Sequence, residues 1–470
     1  MVCDLDEIKT LNTEQLTKLY QTRELSPCEV VVSTLERMHQ VQEEFNAFQC
    51  IDAQLAKTQA KESEKRWRSG TPLSALDGIP IPIKDLVDLK GLPTRHGSLT
   101  GSTKALSEDA SCVARLREAG ALLFAKTTTP EFGWKGMTDG PLFGYTANPY
   151  NKDHTSGGSS GGAAVSVATG CTPIAHGNDG GGSIRIPASY CGVVGIKPNF
   201  GRVADYPRGG AYDTLSSEGP LCRTAKDAAL FLNEVSRPDL RDASSIEYSR
   251  TDFGSEVGKD LKGLRIAVCT NLGGIEASPE ISEAIVRAAH RFEDAGAIMD
   301  SVGNVFDSLR PVFERYWLGG LYQRIAAIPE QERGNLDPDL LRIAREGENV
   351  TLSEFSAGVS ARMELTGKMQ AFHQQFDLLL TPTMPTDPPA IKTTYHSETF
   401  DRWRDATPYT VPFNLTGQPA ASVPCGVSKK GFPIGLQIIG GRFSEPRVLQ
   451  ACDVFEKMVP YKFPYIESVK

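Results

Sequence analysis

The sequence predicts an α/β fold, and three observations carry that prediction. Short apolar stretches of strand length alternate with helix-length segments from about residue 110 onward, joined by glycine-rich turns. Helix starts carry explicit capping signals. In Ser26-Pro27-Cys28-Glu29 a serine N-cap, a proline at the first helical position and a glutamate three residues on coincide. A chain of 470 residues, 40% apolar and 23% charged, can bury a large core around one wide sheet.

The elements follow in order. Behind Ser26, the residues Cys28, Val31, Leu35 and Met38 recur at helical spacing and lay one face on a core. Residues 57–67 are charged, helix-prone and solvated. At Leu76-Asp77-Gly78 the texture changes, and residues 79–86 are apolar and extended because Pro80 and Pro82 forbid helix. Ala110 to Ala119 reads as a helix, followed by a buried strand from Ala121 to Ala125. From Ser156 to Gly210 glycine is dense. Thr224 starts a helix running through Leu232, and residues 237–262 read as a polar surface connection. Gly263 to Val268 is a strand, and Ile281 to Ala295 a helix ending at Gly296. Residues 303–370 are largely helical and richer in aromatics, and strand signals return from Asp377 to Pro382. No short repeat or low-complexity linker interrupts the chain.

Composition excludes several functions. The formal net charge of −8 and the lack of any Lys/Arg run argue against a nucleic-acid groove. Residues 1–7 carry acids where a signal peptide needs basic and apolar residues, and no apolar run is long enough to cross a bilayer. A cytoplasmic protein with no membrane partner is expected. Ten cysteines are widely spread without a CxxC pair, and seven histidines show no HExxH spacing. Free thiols, no metal and no cofactor are therefore expected.

Three clusters carry chemistry. Lys84 is flanked by Ile79, Ile81, Ile83 and Leu86. If buried, it loses ammonium stability and becomes a base; at a strand end, its head simply reaches water. In the second cluster, Ser156 to Ala163, Gly157-Gly158-Ser159-Ser160-Gly161 formally matches the nucleophile elbow GxSxG, while no Walker lysine or GxGxxG context supports a phosphate loop. A glycine-rich packing turn is the plainer alternative. The third cluster, Gly177 to Ala188, places Gly180, Gly181 and Gly182 before Ser183, a run whose N–H groups can converge on an anion. Asp179 and Arg185 can brace that loop as an ion pair.

Together these clusters resemble the amidase signature family over most of the chain. The resemblance rests on Gly157 to Gly162, on Asp179 to Ala188 continuing through Cys191 to Pro198, and on Leu76-Asp77-Gly78-Ile79-Pro80 leading to Lys84. Ser159 and Ser183 keep the family's separation of 24 positions. Later landmarks are Gly219-Pro220, Arg223-Thr224, Thr381-Pro382-Thr383, Asn414, Gly417 and Gly435-Leu436-Gln437.

The resemblance implies a mixed, twisted central sheet covered by helices on both faces, in a single domain spanning 1–470. Residues 1–70 would form an N-terminal helical part, 71–235 and 371–470 the catalytic core, and 236–370 a variable, largely helical region. It implies a Lys84, Ser159, Ser183 triad: Ser183 as nucleophile, Ser159 in a cis peptide as relay, and neutral Lys84 as base. Gly180, Gly181, Gly182 and Ser183 would supply the oxyanion hole, with Ser160, Asp179 and Arg185 in support. Gly180 and Asn178 depart from the Thr and the Ser or Thr common in relatives, an Asn-Asp variant shared with members resembling cyclic-amide hydrolases, aryl acylamidases and urethanases.

Phe132, Gly133, Trp134, Met137, Leu142 and Phe143 fall in the segment that lines the pocket in relatives. Gly133, Trp134 and Met137 are the pocket expectation, with Tyr316 and Trp317 in the variable region. His176 near the third cluster is read as structural, and Asp85 and Asp88 as strand-end charges. The expected substrate is a small linear amide, hydrophobic or aryl, or a carbamate or ester, cleaved by a monomer or homodimer. An amidotransferase A-type subunit freeing ammonia from glutamine for a partner is the alternative, and a non-catalytic relative ranks below both.

Overall fold

The computed structural model describes residues 7–207, 212, 214–247, 251–392 and 407–465. The N-terminal segment folds as helices Thr13–Thr22, Pro27–Phe45 and Ala53–Ser69. The predicted capping box forms: the Glu29 N–H donates to Ser26 Oγ at 3.2 Å, and the Ser26 N–H donates to the Glu29 carboxylate at 2.8 Å. Such a cap contributes about 1 kcal/mol. The helix behind it buries Val31, Leu35 and Met38 as the spacing requires.

Residues 1–70 are not purely helical. Strand Phe48–Ile51 pairs antiparallel with Ala125–Thr127, which takes Ile83–Lys84 in parallel on its other edge. The strand expected at Ala121 to Ala125 is thus displaced toward the C-terminus. Leu122 meets Pro80 only through an isolated bridge. Pro80 and Pro82 have no N–H to donate, so a continuous ladder cannot form until Ile83.

The large sheet has eight strands, in the spatial order Ile298–Ser301, Arg265–Val268, Leu378–Pro382, Pro433–Gly440, Ala420–Val427, Val194–Lys197, Ser217–Cys222 and Ile174–Asp179. The first three run parallel to one another and the remaining pairs are antiparallel, so the sheet is mixed. Segment 236–370 is therefore more than helical cover. Its strands at 265–268 and 298–301 extend the sheet, and its helices Arg310–Ala326, Pro338–Gly347 and Leu352–His373 follow.

Helix Gly161–Ala168 touches strands of both sheets and is buried along its whole length. Its glycines permit that approach. A Cβ on Gly162 would lie 2.3 Å from the Ala47 carbonyl oxygen, and one on Gly161 would lie 2.3 Å from Thr138 Oγ1. Ser159 and Ser160 sit at the head of this helix, between the short sheet carrying Lys84 and the edge strand Ile174–Asp179.

Candidate active site

Lys84 is fully buried on its two-residue strand. Its Nζ lies 2.7 Å from Ser159 Oγ, 2.7 Å from Asn178 Oδ1 and 3.4 Å from the Asn178 carbonyl oxygen. The Gly158–Ser159 peptide bond is cis. Burial pulls the Lys84 pKa down to about 7, against the opposing charges of Glu218 and Asp179. Neighbouring Asp85 does not join this group. It accepts from the N–H groups of Arg95 and Gly97 at 3.1 Å each and pairs with Lys126 at 3.8 Å, as alternation along an extended segment requires.

Ser183 follows the glycine run after strand Ile174–Asp179 and borders the same cleft as Ser159. The Ser160 N–H donates to the Ser183 carbonyl at 3.2 Å, which ties the two serine loops together. The loop is organised by the fully buried pair Asp179–Arg185, with N···O distances of 2.9 Å. Arg185 also donates to Asn414 Oδ1 at 2.6 Å and Gln437 Oε1 at 2.7 Å. Burial alone would push the Asp179 carboxyl up, but the Arg185 charge, with hydrogen bonds from Arg185 and Asn414, holds it below the usual carboxylate range.

One expected oxyanion donor is otherwise engaged. The Gly182 N–H donates to Asp179 Oδ1 at 2.7 Å. Gly182 also has φ +123° and would drive a Cβ to 2.4 Å from Thr410 Oγ1, so only glycine fits there. Among the described residues, the N–H groups of Gly180, Gly181 and Ser183 have no protein partner.

The cleft holds about 250 Å3 and is walled by Leu86, Phe132, Gly133, Tyr212, Trp317 and Arg324 around the two serines. Tyr212 and Trp317 stack at 3.5 Å between ring centroids, backed by Phe313 at 5.0 Å from Trp317. Of the expected pocket residues, Gly133 borders the cleft. Trp134 and Met137 are buried in packing behind it, and the Met137 backbone lies against Gly158. Phe132 and Trp317 also reach the cleft, whereas Leu142, Phe143 and Tyr316 do not line it.

Several cleft residues escaped the sequence reading. Tyr212, Arg324, His96 and Glu218 line it from distant segments. Burial, with the nearby Arg324 and Lys126 charges, lowers the His96 pKa to about 3, so its ring is neutral at pH 7. His176 is buried on the strand beside Asn178, and its Nε2 lies 2.7 Å from Glu218 Oε2 and 3.6 Å from Cys112 Sγ. Cys112, His176 and Glu218 are the one trio among the described residues with the composition of a metal site. Nothing in their linear spacing announces it.

Fold and family together place the chain among amide-hydrolysing enzymes. The chain belongs to the amidase family, whose model matches residues 29–449. It is 32% identical over 464 residues to an acylamidase of Rhodococcus erythropolis, covering 96% of each chain. It is also 32% identical over 490 residues to the A-type subunit of a glutamyl-tRNA(Gln) amidotransferase from Halothermothrix orenii, covering 97% of this chain and 98% of the relative. Among solved structures it is similar to a bacterial aryl acylamidase of the amidase signature enzymes, with TM-score 0.91, 29% identity and coverage of 98% and 99%. It is likewise similar to 6-aminohexanoate cyclic dimer hydrolase in complex with substrate, with TM-score 0.87, 27% identity and coverage of 96% and 98%.

Proposed function

We propose that this amidohydrolase cleaves C–N bonds of small linear amides, hydrophobic or aryl, and carbamates and esters of similar shape, through an acyl-enzyme on Ser183. The observation that carries the reading is the buried Lys84 amine 2.7 Å from Ser159 Oγ, on a cleft that Ser183 also borders. Ser183 Oγ attacks the carbonyl carbon. Its proton passes to Ser159 as the Ser159 proton passes to neutral Lys84. Free N–H groups at Gly180, Gly181 and Ser183 receive the developing oxyanion, while Gly182 stays with Asp179. The C–N bond then breaks as the relay returns its proton to the leaving nitrogen. Water repeats the sequence on the ester and frees Ser183.

The stacked Tyr212 and Trp317, with Phe132 and Leu86, favour a flat apolar substrate group. Among the described residues no helix is long and apolar enough to cross a membrane. Free thiols at the described cysteines fit a cytoplasmic setting. The amidotransferase relatives favour a second reading, in which glutamine is the substrate and a partner chain receives the ammonia.

A serine-directed covalent probe tests the nucleophile. Ser183→Ala abolishes both p-nitroanilide turnover and labelling, whereas Ser159→Ala loses most turnover yet still labels at Ser183. Labelling mapped to Ser159 overturns the assignment. Turnover confined to glutamine, and only with a partner, moves the reading to the amidotransferase.

A further inference from the structure

Lys84 Nζ meets three oxygens among the described residues, and two of them belong to Asn178. A neutral amine has two N–H donors and one lone pair. A carboxamide oxygen and a peptide carbonyl only accept, so both donors are drawn to Asn178 and the lone pair is left for the Ser159 hydroxyl. We infer that Asn178 is a positioning residue that fixes the direction of proton transfer, turning the Lys84 lone pair toward Ser159 so that serine donates and lysine accepts. The inference rests on Lys84 being the base.

The same arrangement serves the product of that transfer. Once Lys84 takes the Ser159 proton, its ammonium has three donors, and the same three oxygens accept them: Ser159 Oγ, Asn178 Oδ1 and, more weakly, the Asn178 carbonyl. The proton is gained without the side chain turning. A hydroxyl at position 178 could donate into the lone pair and compete with Ser159. A carboxylate could not donate, but its charge would hold the proton on lysine. Asn178 accepts without adding charge, where Glu218 and Asp179 already favour the ammonium.

The backbone holds Asn178 in place. It lies within strand Ile174–Asp179, opposite Glu218 in the antiparallel ladder, and Ser160 Oγ donates to its carbonyl at 3.3 Å. Its Nδ2 has no partner among the described residues, and the side chain borders the cleft. The amide nitrogen therefore faces the open side while Oδ1 faces lysine.

The test is the pH profile of kcat and kcat/KM on a p-nitroanilide for wild type, Lys84→Ala, Asn178→Asp and Asn178→Ala, each checked for folding by circular dichroism. The wild-type profile rises through about pH 7, where Lys84 loses its proton, and that limb is absent from Lys84→Ala. Asn178→Asp keeps the shape and adds a charge against the amine, so its limb moves to higher pH by roughly one to three units. Asn178→Ala lowers kcat on the order of tenfold or more, with little change in KM and a limb near its original place. An unmoved limb in Asn178→Asp, or a wild-type kcat in Asn178→Ala, overturns the role of Asn178 while leaving Lys84 as base. A limb that survives in Lys84→Ala overturns the base assignment itself.

Discussion

Gly133 sits where the cleft wall meets Ser159, and its backbone is in the left-handed region at φ +70°. A Cβ there would approach Leu86 Cδ1 to 2.7 Å and Ser159 Oγ to 3.2 Å. Gly133→Ala therefore carries a backbone cost of about 1–2 kcal/mol and pushes on Ser159, the proposed relay, as well. The expected result is a modestly lower unfolding temperature with kcat/KM down at least roughly tenfold, since small displacements of reacting groups are costly. Normal turnover in a folded Gly133→Ala protein would show that Ser159 does not need that space. Of the three residues expected at the pocket, Gly133 is the one that borders the cleft. Trp134 and Met137 looked better suited because large apolar side chains line binding clefts, but the same character suits core packing, and here packing won. Tyr212, Arg324 and Glu218 reach the cleft from segments far apart in the chain, and no local pattern marks them. Lys84 was readable as either a base or a strand-end charge with its head in water, and its complete burial excludes the second.

At the scale of elements, the loop between strand Ile174–Asp179 and helix Arg185–Cys191 holds its shape through charge. Asp179 accepts from Arg185, Asn414 and the Gly182 N–H, and both charged partners are fully buried. Removing one partner of such a pair leaves an uncompensated charge, which costs about 3–5 kcal/mol. Arg185→Met is expected to lose stability of that order in urea unfolding and to lose turnover, because an unpaired Asp179 no longer steadies the Gly182 and Ile184 N–H groups that flank Ser183. Arg185→Lys should also be impaired, since an ammonium cannot reproduce the guanidinium fork that reaches Asp179, Asn414 and Gln437 together. Full activity in either variant would argue that the loop is held by its backbone alone. The Asp179–Arg185 pair was legible because both residues lie in one short loop, whereas Asn414 joins from the far end of the chain. Helix starts were legible for the same local reason, as with Ser26 and Thr224, whose side-chain oxygens accept from the third residues of their helices. Strand edges were not, because Pro80 and Pro82 decide where pairing begins only once the partner strand is known.

Across the whole molecule, burying so many titratable groups sets how stability depends on pH. Burial holds Lys84 and Lys197 at about 7, against roughly 10.4 for a lysine in an unfolded chain. Below pH 7 both states carry these protons and the full burial penalty stands. Above it the unfolded state binds more protons than the native state, so stability rises with pH. Burial acts oppositely on Glu456, raised to about 8, whose contribution is present below roughly pH 4.3 and is lost as pH climbs through 8. It also raises Cys50 to about 11 and Cys171 and Cys425 to about 12. Their stabilising contribution holds below the unfolded thiol value of roughly 8.5 and is lost as pH rises toward the native values. Between pH 7 and 8 these two lysines, joined by Lys126, which burial also lowers, outweigh one glutamate, and beyond about 8.5 the buried thiols outnumber the lysines. Cys112, Cys191, Cys222 and Cys452, raised in the same direction, steepen that fall. Thermal midpoints at fixed scan rate in reducing buffer should therefore climb from about pH 7, peak near pH 8.5 and decline by pH 10. Lys197→Met should flatten the climb and steepen the alkaline decline, because its opposing contribution below about pH 10.4 is lost. A midpoint that falls steadily from pH 7, or one still rising at pH 10, would mean that these buried groups do not govern stability.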